Sequence, residues 1–229
     1  MKYEWLLFDA DDTLFDYDKA EFTALRKTFE EKGLHCSESC HMRYREINFG
    51  LFRELEKGLI SSNELRTKRF ELLFREFDVH LSVKEFSKKY LYNLADNSIL
   101  IKGALEVIDK LSSSHKMLLV TNGIADVQRA RLEKSEIIKY FNGVIISEEA
   151  GAAKPATEFF DITFNKMGHP LKKDVMIIGD SLTSDMAGGI NYGIDTCWYN
   201  PEKLKNENKF NITHEITELS NLLNIVECT

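Results

Sequence analysis

Near the start of the chain, Asp9-Ala10-Asp11-Asp12-Thr13 places three carboxylates on one short stretch. Their mutual repulsion would be costly if all were ionised and unpaired, so such a loop asks for a cation. A second acidic stretch, Gly179-Asp180-Ser181-Leu182-Thr183-Ser184-Asp185, is of the same kind. Brought together, the two would form an oxygen-rich, hard-ligand site that suits Mg2+ better than zinc or copper. Thr121-Asn122-Gly123 supplies a hydroxyl and backbone N–H groups, which could hold a phosphoryl group where they lead into a helix. Lys154, followed by Pro155, could neutralise both a phosphate and a nucleophilic carboxylate, as phosphoryl transfer requires.

Taken singly, each motif has a plain structural explanation. Asp-x-Asp is usually a turn or a helix start, Thr-Asn-Gly a turn, Gly-Asp a strand-to-helix turn and a lone lysine a solvated surface group. Their positions change the reading. Trp5 to Phe8 is a short apolar run of the buried-strand kind, and the first acidic loop follows it directly. Further strands are predicted at Met117 to Thr121, Gly143 to Ile146, Val175 to Ile178 and Thr196 to Tyr199. Helices are predicted at Ala104 to Leu111, Asp126 to Lys134, Thr157 to Met167 and Ser184 to Tyr192, with a final short strand and helix near the C-terminus. This alternation predicts an α/β fold with a doubly wound parallel sheet. All four motifs then fall after a strand or before a helix.

Between Tyr17 and about Asn97 the rhythm differs. Glu, Lys, Leu and Phe dominate and apolar residues recur at helical spacing, as in Phe70, Leu73, Phe74 and Phe77. The expected organisation is an α/β core of residues 1–16 plus 98–229, with residues 17–97 inserted after the first strand as a helical cap. Parallel α/β sheets bind ligands outside the carboxyl ends of their strands, so the cap is expected to face the acidic loops.

Bulk properties narrow the choice of partner. A chain of 229 residues with 43% apolar content can bury a substantial core, and its formal net charge of −7 comes without a Lys/Arg-rich tract. A nucleic-acid polymer is therefore not an expected partner, whereas a small phosphorylated metabolite is. Apolar runs such as Met117 to Val120 and Val175 to Ile178 are too short to cross a bilayer, and the acidic N-terminus is unlike a secretory signal, so no membrane association and a cytoplasmic location are expected. Cys36, Cys40, Cys197 and Cys228 do not form a disulfide pattern, and reduced thiols are expected. His35, Cys36, Cys40 and His41 have zinc-ligand chemistry, but their irregular spacing, without a second ligand pair, argues against a structural zinc site.

In these four motifs the chain resembles the haloacid dehalogenase superfamily, the match running through Asp9 to Thr13, Thr121 to Gly123, Lys154 and Gly179 to Asp185. More narrowly it is similar to the house-cleaning 5'-nucleotidases of the YjjG type, in Leu7 to Phe15, Ile146 to Pro155, Asp185 to Asn191 and Thr196 to Trp198. The resemblance implies a Mg2+-dependent phosphomonoesterase acting on pyrimidine or non-standard nucleoside monophosphates. It implies Asp9 as nucleophile and Asp11 as general acid and base. It also implies Mg2+ held by Asp9, the Asp11 carbonyl and Asp180, with Asp185 ordering the ion's surroundings, and Thr121, Asn122, Gly123 and Lys154 around the phosphoryl oxygens. A monomer or weak homo-oligomer is expected.

Asn48 and Phe52, four apart and so on one helix face, are the candidates for reading a base; Phe52 stands where the subgroup would have a tryptophan. Alternatives remain at this point. A sugar-phosphate phosphatase or a phosphomutase would share the motifs. A haloacid dehalogenase would need neither Mg2+ nor an acid at Asp11. A phospho-receiver domain would lack the inserted helices and carry its phosphorylated aspartate after a later strand.

Overall fold

The computed structural model of the chain describes residues 2–207 and 209–227, so Cys228 lies outside the described residues. Among these, the strands β1 (Trp5–Phe8), β2 (Lys116–Thr121), β3 (Gly143–Ile146), β4 (Val175–Gly179), β5 (Asp195–Tyr199) and β6 (His214–Ile216) form one sheet in the order β3-β2-β1-β4-β5-β6. Every neighbouring pair is parallel. Leu6, Phe8, Met117, Leu119, Met176 and Ile178 enter one apolar cluster, whereas Leu7, Leu118, Val120, Val175 and Ile177 enter another. Side chains of a strand alternate between faces, so a sheet covered on both sides needs unbroken apolar runs, and these strands have them. The doubly wound expectation holds.

Helices α5 (Ala104–Ser112) and α10 (Asn221–Glu227) contribute Val107, Ile108, Leu222 and Val226 to the first cluster, while α8 (Thr157–Met167) gives Phe159, Phe160 and Phe164 to the second. The chain leaves central β1, builds β2 and β3 on one side, then crosses to β4 and beyond on the other. That reversal makes the boundary between β1 and β4 the switch point, where doubly wound sheets open a crevice at their carboxyl ends. Phe8 is in register with both Leu119 and Ile178, which brings Asp9 and the loops after β2 and β4 out at one edge.

The chain divides into two compact units. The α/β unit comprises residues up to Asp16, Ile99–Ala125 and from Leu132 onward; the helical unit comprises Tyr17–Ser98 and Asp126–Arg131. The latter segment, in the middle of α6 (Ala125–Lys134), is a difference from the sequence-based boundaries, which gave all of α6 to the core. Arg66 of the helical unit explains it, because its guanidinium bonds both carboxylate oxygens of Asp126, at 2.9 and 2.8 Å.

The helical unit contains α1 (Tyr17–Glu30), α2 (Glu38–Glu56), α3 (Ser62–Glu76) and α4 (Val83–Ala95), the last three of which start at serines that cap them. Ser37, Ser61 and Ser82 each accept a backbone N–H from the first turn of α2, α3 and α4, and Ser61 forms a reciprocal capping box with Glu64. Phe29, Phe70, Phe74 and Phe86 pack edge-to-face or tilted at the centre, with Tyr44 stacked on Phe70.

One predicted helix changes shape. Instead of a regular helix over Ser184 to Tyr192, a π-type turn (Leu182–Met186) precedes α9 (Ala187–Tyr192). Met186 donates its N–H five residues back to the Ser181 carbonyl at 3.0 Å, while Ser184 N–H is taken by the Ser181 hydroxyl. The wide turn arises because Asp185 is held elsewhere by its side chain, a common origin of π-turns at functional sites.

Candidate active site

The loop after β1 folds on itself. Leu14 and Phe15 both donate N–H groups to the Ala10 carbonyl at 2.9 Å, and Asp12 takes a left-handed φ of 56°. Aspartate tolerates that conformation better than most residues. Asp9 is thereby left at the strand end, buried, with Asp11 two residues on and half-buried.

Asp9 meets the other motifs through Lys154. The Lys154 ammonium donates to Asp9 Oδ1 at 2.5 Å, to Asp185 Oδ1 at 2.7 Å and to the Val120 carbonyl at 2.8 Å. These three acceptors use all three of its protons. Lys154 is 1% exposed. Burial works against its charge, but Asp185 and Asp9 outweigh burial and hold its pKa above the ordinary lysine value.

Carboxylate oxygens of Asp9, Asp180 and Asp185 all lie within 4.8 Å of one another, a group of the size and chemistry to hold a metal ion. Like charges about 4 Å apart repel by roughly 4 kcal/mol at an effective dielectric near 20. One ammonium against three carboxylates leaves the group two charges short of neutrality if all three are ionised. Accordingly burial, then the neighbouring carboxylates, raise the pKa of Asp180 well above normal; for Asp9 burial raises it, against the pull of Lys154. A hard divalent cation would remove the imbalance, and an all-oxygen donor set fits Mg2+.

The supports of this cluster are residues whose side-chain work was not anticipated. Asn122, expected to offer its backbone N–H, uses its amide as a staple: Nδ2 donates to the Lys154 carbonyl at 2.8 Å and to Ser184 Oγ at 3.2 Å, and Oδ1 accepts the Lys154 N–H at 2.9 Å. Trp198 Nε1 holds the Asp180 carbonyl at 2.8 Å, and Thr13 Oγ1 donates to Asp180 Oδ1 at 3.3 Å. A Cβ on Gly179 would run into the Asp185 carboxylate, whose Oδ2 accepts the Ser181 N–H at 3.2 Å. The signals for these roles were faint: an amide between a strand and a helix, an indole at a strand end, a glycine before an acid.

Thr121 is buried and accepts the Gly123 N–H on Oγ1 at 3.1 Å, so the Gly123 donor expected to face a phosphoryl group is turned to the threonine hydroxyl. Thr121, Asn122, Lys154, Asp9, Asp180 and Asp185 thus come from the carboxyl ends of β1, β2 and β4 and the loop before α8. The remaining candidates, Asn48 and Phe52, lie on α2 in the helical unit. Phe52 is half-buried. Asn48 is buried, its Nδ2 donating to Glu21 Oε2 at 2.9 Å and to Tyr17 Oη at 3.4 Å, and its Oδ1 accepting from Arg69 Nη1 at 3.2 Å. Instead of standing open to a base, as the sequence reading had it, this amide bridges the buried Glu21 carboxyl group and the buried Arg69 guanidinium. No helix among the described residues is long and apolar enough to cross a membrane.

Comparison with known proteins gives a consistent picture. The family model for haloacid dehalogenase-like hydrolases matches residues 6–199. The pyrimidine 5'-nucleotidase PynA of Streptococcus pneumoniae is 36% identical, the alignment covering 99% of this chain and 96% of that protein. The pyrimidine 5'-nucleotidase YjjG of Escherichia coli is 32% identical, with 87% of each chain covered. The HAD-hydrolase YfnB of Bacillus subtilis is 35% identical over 98% of this chain and 96% of its own. A crystal structure of YfnB bound to magnesium superposes with a TM-score of 0.92, covering 99% of both chains.

Proposed function

Because this chain belongs to the haloacid dehalogenase-like hydrolase family, we propose that it is a Mg2+-dependent 5'-nucleotidase that hydrolyses pyrimidine or non-standard nucleoside monophosphates through an aspartyl-phosphate on Asp9. The observation that carries the reading is the convergence of buried Asp9, Asp185 and Lys154 with half-buried Asp180 at one sheet edge. Similarity to two pyrimidine 5'-nucleotidases, over 99% and 87% of this chain, supports the substrate class.

Asp9, Asp180 and the Asp11 carbonyl would hold the ion, with Asp185 fixing its surroundings. Bound there, Mg2+ supplies charge neutralisation that lets a carboxylate approach a dianionic phosphate. The chain's own residues do the rest. Lys154 orients Asp9 by gripping Oδ1, so the carboxylate presents itself to phosphorus in line with the departing nucleoside oxygen. Asp11 gives its proton to that oxygen, then takes one from the water that cleaves the acyl-phosphate. The Thr121 hydroxyl and the Asn122 N–H stabilise the phosphoryl oxygens as charge shifts onto them. Asp11 also favours this chemistry over dehalogenation, which has no leaving oxygen to protonate.

A phosphate-release screen over nucleoside monophosphates and sugar phosphates tests the reading. Fastest release is expected from pyrimidine nucleotides, abolished by EDTA and restored by Mg2+. Metal-independent activity would remove the phosphatase assignment, and a preference for sugar phosphates would remove the nucleotidase assignment alone.

A further inference from the structure

Between α3, α4 and the segment Asp126–Arg131 of α6 lies a cavity of about 510 Å³ that shares no residue with the acidic cluster. All of its lining residues belong to the helical unit. Buried Leu91 and Val127 give it apolar surface, and Tyr92, 65% exposed, adds an aromatic ring. Its walls are braced by side chains. Ser87 Oγ donates to the Arg66 carbonyl at 2.6 Å, joining α4 to α3, and the Arg66 guanidinium forks onto Asp126, joining α3 to α6.

Four polar side chains that line the cavity are left unused by the fold. On α4, Lys84 and Lys88 stand one turn apart, and among the described residues neither meets a carboxylate at ion-pair distance. On α3, Asn63 and Thr67 repeat that spacing, and their side chains make no hydrogen bond among the described residues. Arg66 differs, because Asp126 occupies its guanidinium and that pair adds no net charge. Two uncompensated ammoniums thus line a cavity in a chain whose formal net charge is −7. A concave surface lined by one sign of charge concentrates small ions of the other sign. Lysine binds phosphate as a point charge, while an amide and a hydroxyl can hydrogen-bond phosphate or sugar oxygens. Apolar side chains beside an aromatic ring suit a flat organic body, and the volume lies within the range of small-molecule sites, roughly 300–1,000 Å³.

We propose that this cavity is a binding site for a small organic phosphate, its phosphoryl groups held by Lys84 and Lys88 and its ring lying against Tyr92 and Leu91. The site is distinct from the one that carries the hydrolysis, and it stands whether or not Asp9 is the nucleophile. Its braced walls leave little to be ordered on binding, which favours affinity. Because both lysines are exposed, binding weakens as salt rises. Phosphate groups without a ring lack the apolar contacts, and a neutral nucleoside lacks the charge.

Cytidine 5'-diphosphate is the probe, with pyrophosphate as the charge without the ring and cytidine as the ring without the charge. The full-length protein, in EDTA and low salt, is treated briefly with acetic anhydride, and the rate of acetylation is mapped by peptide mass. Lys110, an exposed lysine of α5, is the internal comparison. With the diphosphate at about ten times its half-saturating concentration, only about a tenth of the sites stay free, so Lys84 and Lys88 should be acetylated about tenfold more slowly. Lys110 should be unaffected. Pyrophosphate should protect less at the same concentration, and cytidine not at all. In Lys84→Gln, a surface change that leaves the fold intact, the concentration that half-protects Lys88 should rise about tenfold, through loss of one charge-assisted hydrogen bond. Absence of protection, equal slowing at Lys110, equal protection by pyrophosphate or by cytidine, or an unchanged half-protecting concentration in the variant overturns the proposal. Acetylation is read without turnover, so a failed phosphatase assay does not affect the answer.

Discussion

Lys154 is the residue on which the acidic cluster depends, because among the described residues it is the cation that ion-pairs with Asp9 and Asp185, and it sits 1% exposed. Replacing it by methionine keeps much of its volume but leaves Asp9 and Asp185 without their ammonium partner. Removing one member of a buried ion pair typically costs about 3–5 kcal/mol, since the remaining charge is uncompensated. Lys154→Met is expected to lose stability on that scale in urea unfolding with EDTA present, together with phosphatase activity; an unchanged unfolding midpoint would contradict the pairing. At this scale the residues that converge at the sheet edge were readable from the sequence, because Asp, Thr and Lys have few other reasons to follow strand after strand. Their partners were not. Nothing in the order of residues says that the Asn122 amide holds the Lys154 backbone, or that the Asn48 amide lies between Glu21 and Arg69, because both contacts are made across long stretches of chain.

Strands and the turns that leave them set where those residues point. The sheet was readable almost entirely, since burial on both faces demands the unbroken apolar runs that mark β1, β2 and β4. The π-type turn after β4 was not, because its cause is the tertiary hold on Asp185, not any local preference. Gly179 is the point where that turn is most exposed to test. Adding one methyl group there would force Asp185 off Lys154 and the Ser181 N–H. Gly179→Ala should lose about 1–3 kcal/mol from overpacking and most of its catalytic activity. Wild-type activity in this variant would show that Asp185 need not stand where the structure has it.

Across the whole molecule, the two units stabilise buried charge in different ways, and the helical unit makes its own a liability at high pH. Glu21 is 3% exposed, and burial, opposed by Arg45 and Arg69, pushes its pKa up to about 7. A carboxyl raised in this way favours folding while it is protonated in both states, and that contribution is lost as pH rises from its unfolded value of 4.5 through 7. Glu21→Gln cannot ionise, so the variant should gain on the wild type across this range by up to about 3 kcal/mol, read from urea unfolding at each pH. A difference that stays constant with pH would contradict a buried, neutralised Glu21. The catalytic unit answers the same problem with Lys154 and a site suited to a divalent ion, and the account as a whole stands on what its nucleophile does. The most direct measurement is hydroxylamine trapping during turnover of a pyrimidine nucleoside monophosphate with Mg2+, followed by peptide mapping. An acyl-phosphate on Asp9 predicts a hydroxamate at that residue, absent without substrate; continued phosphate release with the modification at no aspartate, or undiminished turnover by Asp9→Asn, would contradict it.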